Sequence, residues 1–201
     1  MSKGLYKRYI EDFNANLLDC EFLGKGHNGI VYKLPEGKVI KVCFEEEKCR
    51  KEYLILKRIH KNQYFPRVYG MCGNYMIRDY VEGIPLNKYI KTYGFDRELA
   101  IKILKLLNEF RKLKFAKEDV RCKDIMVQPS GTLMVIDPKK CYSKKRDFPR
   151  HLCKGLYKLG VLDQFMKALQ ETEPKQYKRW KGKINCYIQE IEREQQGSKN
   201  N

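Results

Sequence analysis

The chain has 201 residues, 42% of them hydrophobic and 12% aromatic, enough to build a folded core and to exclude a disordered polymer. Its 42 Lys and Arg against 25 Asp and Glu leave a formal charge of +17, which predicts affinity for something anionic: nucleotide phosphates, nucleic acid, an acidic protein or a membrane surface. No apolar run approaches the ~20 residues needed to cross a bilayer, so no membrane span is expected.

In chain order, residues 1–16 carry Tyr6, Tyr9, Ile10 and Phe13 at spacings of three and four, which predicts a short amphipathic lead-in helix within a segment ending at residue 20. Gly24, Gly26 and Gly29 follow, and lacking Cβ atoms they let backbone amides approach phosphate oxygens; glycines also serve an ordinary hairpin. After Gly29 come the β-branched Ile30 and Val31 and a turn at Pro35-Glu36-Gly37, so the glycines sit in a strand–loop–strand lid and not before a helix. Lys41 interrupts the apolar strand Val39-Ile40-Lys41-Val42, where it either faces solvent or reaches a phosphate and a carboxylate.

Residues 45–60 are expected to form a helix, with Glu45, Glu46 and Glu47 in the first turn and Glu52 where its polar and apolar parts meet. Strands are expected over 64–70 and 74–78, and near Val81 the composition turns from strand-rich to helix-rich, which predicts a lobe boundary. A short helix over 86–92 and a long one over 96–113 follow, the latter capped by Asp96 and carrying Leu99, Ile103, Leu106, Leu107 and Phe110 on one side. Residues 125–127 and 132–136 read as a hairpin around Pro129-Ser130-Gly131, placing Asp124 and Asp137 at the outer ends of paired strands, as a metal clamp requires. A basic loop at 139–146, helices at 152–159, 162–169 and 177–191, and a polar tail from residue 194 complete the chain.

The eight cysteines contain no C-x-x-C pair and are joined by only three histidines, which argues against zinc. No signal peptide precedes the chain, so reduced thiols in a cytoplasmic protein are expected.

Together, and in this order, residues 21–139 resemble a eukaryotic-like protein kinase, and in particular the small bacterial kinase-like proteins and the Bud and Rio type of atypical kinase. The resemblance implies an α+β, two-lobed fold with a β-rich N-lobe over 21–81 and a reduced helical C-lobe over 82–193. It implies that Gly24, Gly26, Gly29 and Val31 form a phosphate lid, that Lys41 holds the α- and β-phosphates of ATP, and that Glu52 pairs with it, with Glu45 to Glu47 as substitutes. The backbone of Asp79 and Val81 would meet the adenine edge, with Arg78 in place of the usual apolar residue behind it.

The kinase loop H-R-D-x-x-x-x-N becomes Lys117-Glu118-Asp119-Val120-Arg121-Cys122-Lys123-Asp124. By the resemblance, Asp119 orients the acceptor hydroxyl and accepts its proton, Arg121 neutralises the γ-phosphate, and Asp124 and Asp137 hold Mg²⁺. The D-F-G signature has become Asp137-Pro138-Lys139 and no A-P-E follows, so a site without the usual mobile switch and with unusual substrate access is expected. Two activities are compatible with this pattern. One is an ATP- and magnesium-dependent serine/threonine protein kinase-like enzyme acting on a protein substrate. The other is a catalytically weak nucleotide-binding pseudokinase, a scaffold or regulator whose basic surface docks on an acidic partner or nucleic acid.

Overall fold

The structure, a computed structural model, describes residues 9–10, 15–17, 19–138, 141–142 and 145–197. The chain is α+β, a β-rich antiparallel part followed by a helical one, and divides into two compact units, Met1–Val81 and Glu82–Asn201.

The first unit opens with β1 (Tyr9–Ile10) and β2 (Ala15–Asn16), which pair antiparallel with Tyr9 opposite Asn16 and Ile10 opposite Ala15. A helix was expected here. Four apolar residues in a charged stretch set a weak period, and Tyr and Ile are good strand formers. The rest of the expected lead-in helix lies outside the described residues.

A five-stranded antiparallel sheet follows, built from β3 (Phe22–Gly26), β4 (Gly29–Leu34), β5 (Lys38–Cys43), β6 (Val68–Cys72) and β7 (Tyr75–Asp79) in the order β3-β4-β5-β7-β6. Directly opposed residues on paired strands share a face. Tyr32, Ile40 and Ile77 form one row and Ile30, Val42 and Tyr75 a second on the same side. Leu17, Ile40, Val42 and Ile77 are the core of that face, with Tyr32, Leu34 and Tyr75 packed against them. Helix α1 (Glu46–Arg58) packs on β5, β6 and β7, burying Cys49, Glu52 and Leu56.

In the second unit β8 (Ile84–Pro85) leads into α2 (Leu86–Tyr93) and then α3 (Arg97–Lys112). Asp96 caps α3 by accepting from Leu99 N at 2.7 Å, and the predicted stripe from Leu99 to Phe110 is buried. β9 (Ile125–Val127) and β10 (Leu133–Val135) form the hairpin, extended by β8 on the far side of β9. Helices α4 (Arg150–Lys158), α5 (Leu162–Thr172) and α6 (Pro174–Gly197) complete the unit. Trp180 of α6 is fully buried and donates from Nε1 to Asp147 O at 2.8 Å. α6 runs past its expected end at residue 191, because Glu194, Gln195 and Gln196 are good helix formers and sustain the turns already started. Among the described residues no helix is long and apolar enough to cross a membrane.

Candidate functional site

In the first unit the site begins with Lys41, 7% exposed at the centre of β5. Its Nζ donates to Glu52 Oε2 of α1 at 2.5 Å, and both side chains are buried. Glu45 and Glu47 are exposed and pair with Lys48 and Lys51 along the helix, so Glu52 is the acid that reaches Lys41. The second Glu52 oxygen, Oε1, is buried and accepts no hydrogen bond from the described residues.

The sheet register sets Gly24 opposite Val31, Val31 opposite Lys41, and Lys41 opposite Met76. Gly24, Val31 and the lysine therefore share one row, and Gly26 and Gly29 lie in the next row, opposite Cys43, on the same face of the sheet. The three glycines differ in what demands them. A Cβ at Gly29 would stand 2.3 Å from Val42 O, so β4 and β5 could not pair around it. Gly24 has nothing within 4 Å of such a Cβ, and Gly26 only Gly29 O at 3.8 Å, so the protein leaves open space there.

Asp79, the end of β7, donates its backbone N–H to Arg67 O at 3.0 Å, and its carboxylate accepts from Arg67 N at 2.8 Å and Tyr69 OH at 2.6 Å. Its side chain is thus committed to neighbouring backbone and phenol. Val81 is buried, and so is Arg78, opposite Val39 on the Lys41 face.

In the second unit Asp124 directly precedes β9 and Asp137 follows β10 by two residues. Ile136 N donates to Asp124 O at 3.0 Å and closes the ladder between them. Arg121 bonds Asp124 through Nε at 2.5 Å and Nη2 at 3.1 Å, and Nη2 lies 4.0 Å from Asp137 Oδ2. Burial works against the Arg121 charge, but the bond to Asp124 and the fields of both carboxylates leave its pKa raised. Two carboxylates gathered on one cation are a donor set suited to Mg²⁺, which commonly takes one or two carboxylates and completes its shell with water and phosphate oxygens. Among the described residues no group of three or more His, Cys, Asp or Glu could hold a metal by itself, so phosphate and water ligands would be needed here.

Asp119 is differently placed from what its position in the loop implied. Its carboxylate is closed to solvent: Oδ1 accepts from His151 N at 2.9 Å and Leu152 N at 3.3 Å, and Oδ2 bonds the His151 ring at Nδ1. These are first-turn N–H groups of α4, which has no capping side chain of its own, so Asp119 supplies the missing acceptor. The 3₁₀ turn Cys122–Asp124 is fastened to the same helix. Cys122 Sγ lies 3.8 Å from Leu152 O, and a Cβ on Gly155 would stand 2.5 Å from that sulfur.

Lys117 and Glu118, which replace the usual His and Arg, have separate work. Burial lowers the Lys117 pKa; Asp119, Asp124 and Asp137 raise it and Arg121 adds to the lowering, so its ammonium shares a field with all three acids. Glu118 bridges α3 and α6, 3.4 Å from Arg111 Nε and 4.0 Å from Arg179 Nη2, and burial raises its pKa. His151 was missed by sequence reasoning. It stands 32 residues from Asp119 with no spacing motif between them.

Residues 47–149 match the family model described as the protein-kinase domain of FAM69, just over half the chain, from α1 through both hairpin strands to the start of α4. No curated protein matches the chain.

Proposed function

The chain belongs to the family of the protein-kinase domain of FAM69, and from that premise we propose that it is an ATP- and magnesium-dependent phosphotransferase acting on Ser or Thr hydroxyls of a protein. The observation that carries this reading is the buried Lys41–Glu52 pair, in one row with Gly24 and Val31. A buried ion pair adds little net stability, so its retention at the centre of a sheet supports a role in binding.

In this reading Lys41, held by Glu52, donates to the α- and β-phosphate oxygens, under a lid from Gly24 to Val31 whose open glycines admit the phosphates. The backbone of Asp79 and Val81 meets the adenine edge. Asp124 and Asp137 would hold Mg²⁺, which when bound supplies charge neutralisation at the phosphates. Arg121 adds a fixed cation at the same end of its unit. The +17 charge favours an acidic protein substrate, and the buried thiols of Cys49, Cys122 and Cys153 support a reducing, cytoplasmic setting.

The alternative, a nucleotide-binding pseudokinase used as a scaffold that contacts an acidic partner or nucleic acid, draws its support from the closed Asp119 carboxylate. Incubation with labelled ATP and Mg²⁺, with and without lysate, separates the two. The expected outcome is a magnesium-dependent rise in Tm with ATP and label transfer to protein, with transfer lost in Asp137→Asn. Equal labelling by both forms would overturn the catalytic reading, and a melting shift without transfer would select the scaffold.

A further inference from the structure

The guanidinium of Arg121 sits where the two candidate metal ligands converge. Nε and Nη2 take one oxygen each of Asp124, Oδ2 at 2.5 Å and Oδ1 at 3.1 Å, and Nη2 lies 4.0 Å from Asp137 Oδ2. Both oxygens of Asp124 are thus engaged by the arginine fork. A divalent ion drawing on the two carboxylates would stand beside that positive charge and share their oxygens with it. Arginine and metal compete for one pair of acids.

The two sides of this contact are held differently. The acids belong to the hairpin: Ile136 N donates to Asp124 O at 3.0 Å, and the side chains of Asp124 and Asp137 are only 13% and 14% exposed. Arg121 stands just ahead of the 3₁₀ turn with its side chain 42% exposed, and its guanidinium has no hydrogen-bond or ion-pair partner among the described residues besides these carboxylates. An anion of higher charge can draw the guanidinium away and leave the acids in place. A nucleotide polyphosphate is such an anion, and the planar fork of arginine suits its oxygens.

We infer that Arg121 is a built-in competitor for the metal, a specificity-determining residue that closes Asp124 and Asp137 to free Mg²⁺ and opens them to Mg²⁺ delivered with a nucleotide polyphosphate. This rests on the phosphotransferase reading above, in which both acids are metal ligands. No covalent bond changes: Arg121 exchanges Asp124 for a phosphate oxygen, and the released carboxylate oxygens serve the metal. By linkage, metal and nucleotide then tighten each other's binding by the same factor. The contact does more than fasten a turn. Asp124 N already donates to Arg121 O at 2.9 Å, and Cys122 Sγ lies against Leu152 O of α4, so backbone and core hold the turn without the guanidinium.

Mn²⁺ takes the same oxygen ligands and can be counted by its paramagnetic resonance signal, so it is the probe, titrated into the full chain without nucleotide. Arg121→Gln keeps a long polar side chain without the charge and is expected to bind Mn²⁺ about 10- to 100-fold more tightly than the wild type. Adding Asp137→Asn to it should abolish the gain. Arg121→Lys keeps the charge but not the fork, so a smaller gain is expected, and it reports on the same contact should the glutamine variant not fold. In thermal unfolding, Mn²⁺ alone should raise the Tm of Arg121→Gln, whereas the wild type should respond only once a non-hydrolysable ATP analogue is added. A merely structural ion pair predicts the opposite sign, since its loss would loosen the acids and weaken metal binding. Mn²⁺ binding no tighter than wild type in the folded variants would overturn the inference, even in a chain that labels protein. A gain that survives Asp137→Asn would overturn it too, because the metal would then lie elsewhere. A gain abolished by Asp137→Asn, in a chain that transfers no label, would remove the phosphotransferase reading and leave the competition for the metal standing.

Discussion

A lysine at the centre of a buried strand persists only while its carboxylate stays beside it. Glu52→Gln should therefore cost about 3–5 kcal/mol in denaturant unfolding, because it leaves Lys41 charged, buried and unpaired. Replacing both partners, Lys41→Met with Glu52→Leu, should restore most of that stability while abolishing the ATP-dependent melting shift. The sequence narrowed the partner to Glu52 or one of Glu45 to Glu47. It could not choose, because the choice turns on which acids the helix satisfies by itself: Glu45 and Glu47 meet Lys48 and Lys51 within one turn. Asp119 shows the opposite limit. Its place in the loop was readable, but the direction of its carboxylate depends on a helix that begins some thirty residues later.

Among the elements, the two hairpins that carry the site were legible, because strand alternation and turn residues are local signals. The pairing of Val135 with Ile125 then brings Asp124 and Asp137 to the same end of the hairpin, as the pattern predicted. The glycines at 24, 26 and 29 were legible as a motif but not in what demands each of them, since strand register decides which glycine meets a neighbouring carbonyl. That difference is measurable. Gly29→Ala should lose about 1–3 kcal/mol of unfolding free energy, as overpacking does, because its Cβ collides with Val42 O. Gly24→Ala should stay within about 0.5 kcal/mol of the wild type while weakening the shift induced by ATP. The lead-in stretch was misread for lack of a strong period, and α6 was read short because a polar end carries no burial signal.

At the scale of the whole molecule, composition foretold a folded chain with an anion-seeking charge, and buried thiols add a response to pH. A hydrogen bond with Cys43, then burial, raises the Cys49 pKa; burial raises Cys153 and pushes Cys122 up to about 12. Above the unfolded thiol value of 9.0 the unfolded chain releases these protons and the folded chain keeps them, so stability falls as pH rises. Each thiol contributes a slope of about 1.4 kcal/mol per pH unit once the unfolded form is ionised. Lys117 opposes this, since its folded pKa lies below 10.5 and stability from that group rises with pH up to that value. Three thiols outweigh one lysine, and denaturation midpoints between pH 8 and pH 10 should decline. A flat or rising profile would show the thiols ionised in the fold.

The tight approach of Gly155 to Cys122 sets a rule for relatives of this chain. The two positions share one volume, so residue 155 can enlarge only where residue 122 shrinks. An alignment of homologues should show them changing together, although one sits on a helix and the other in the loop that carries the acids.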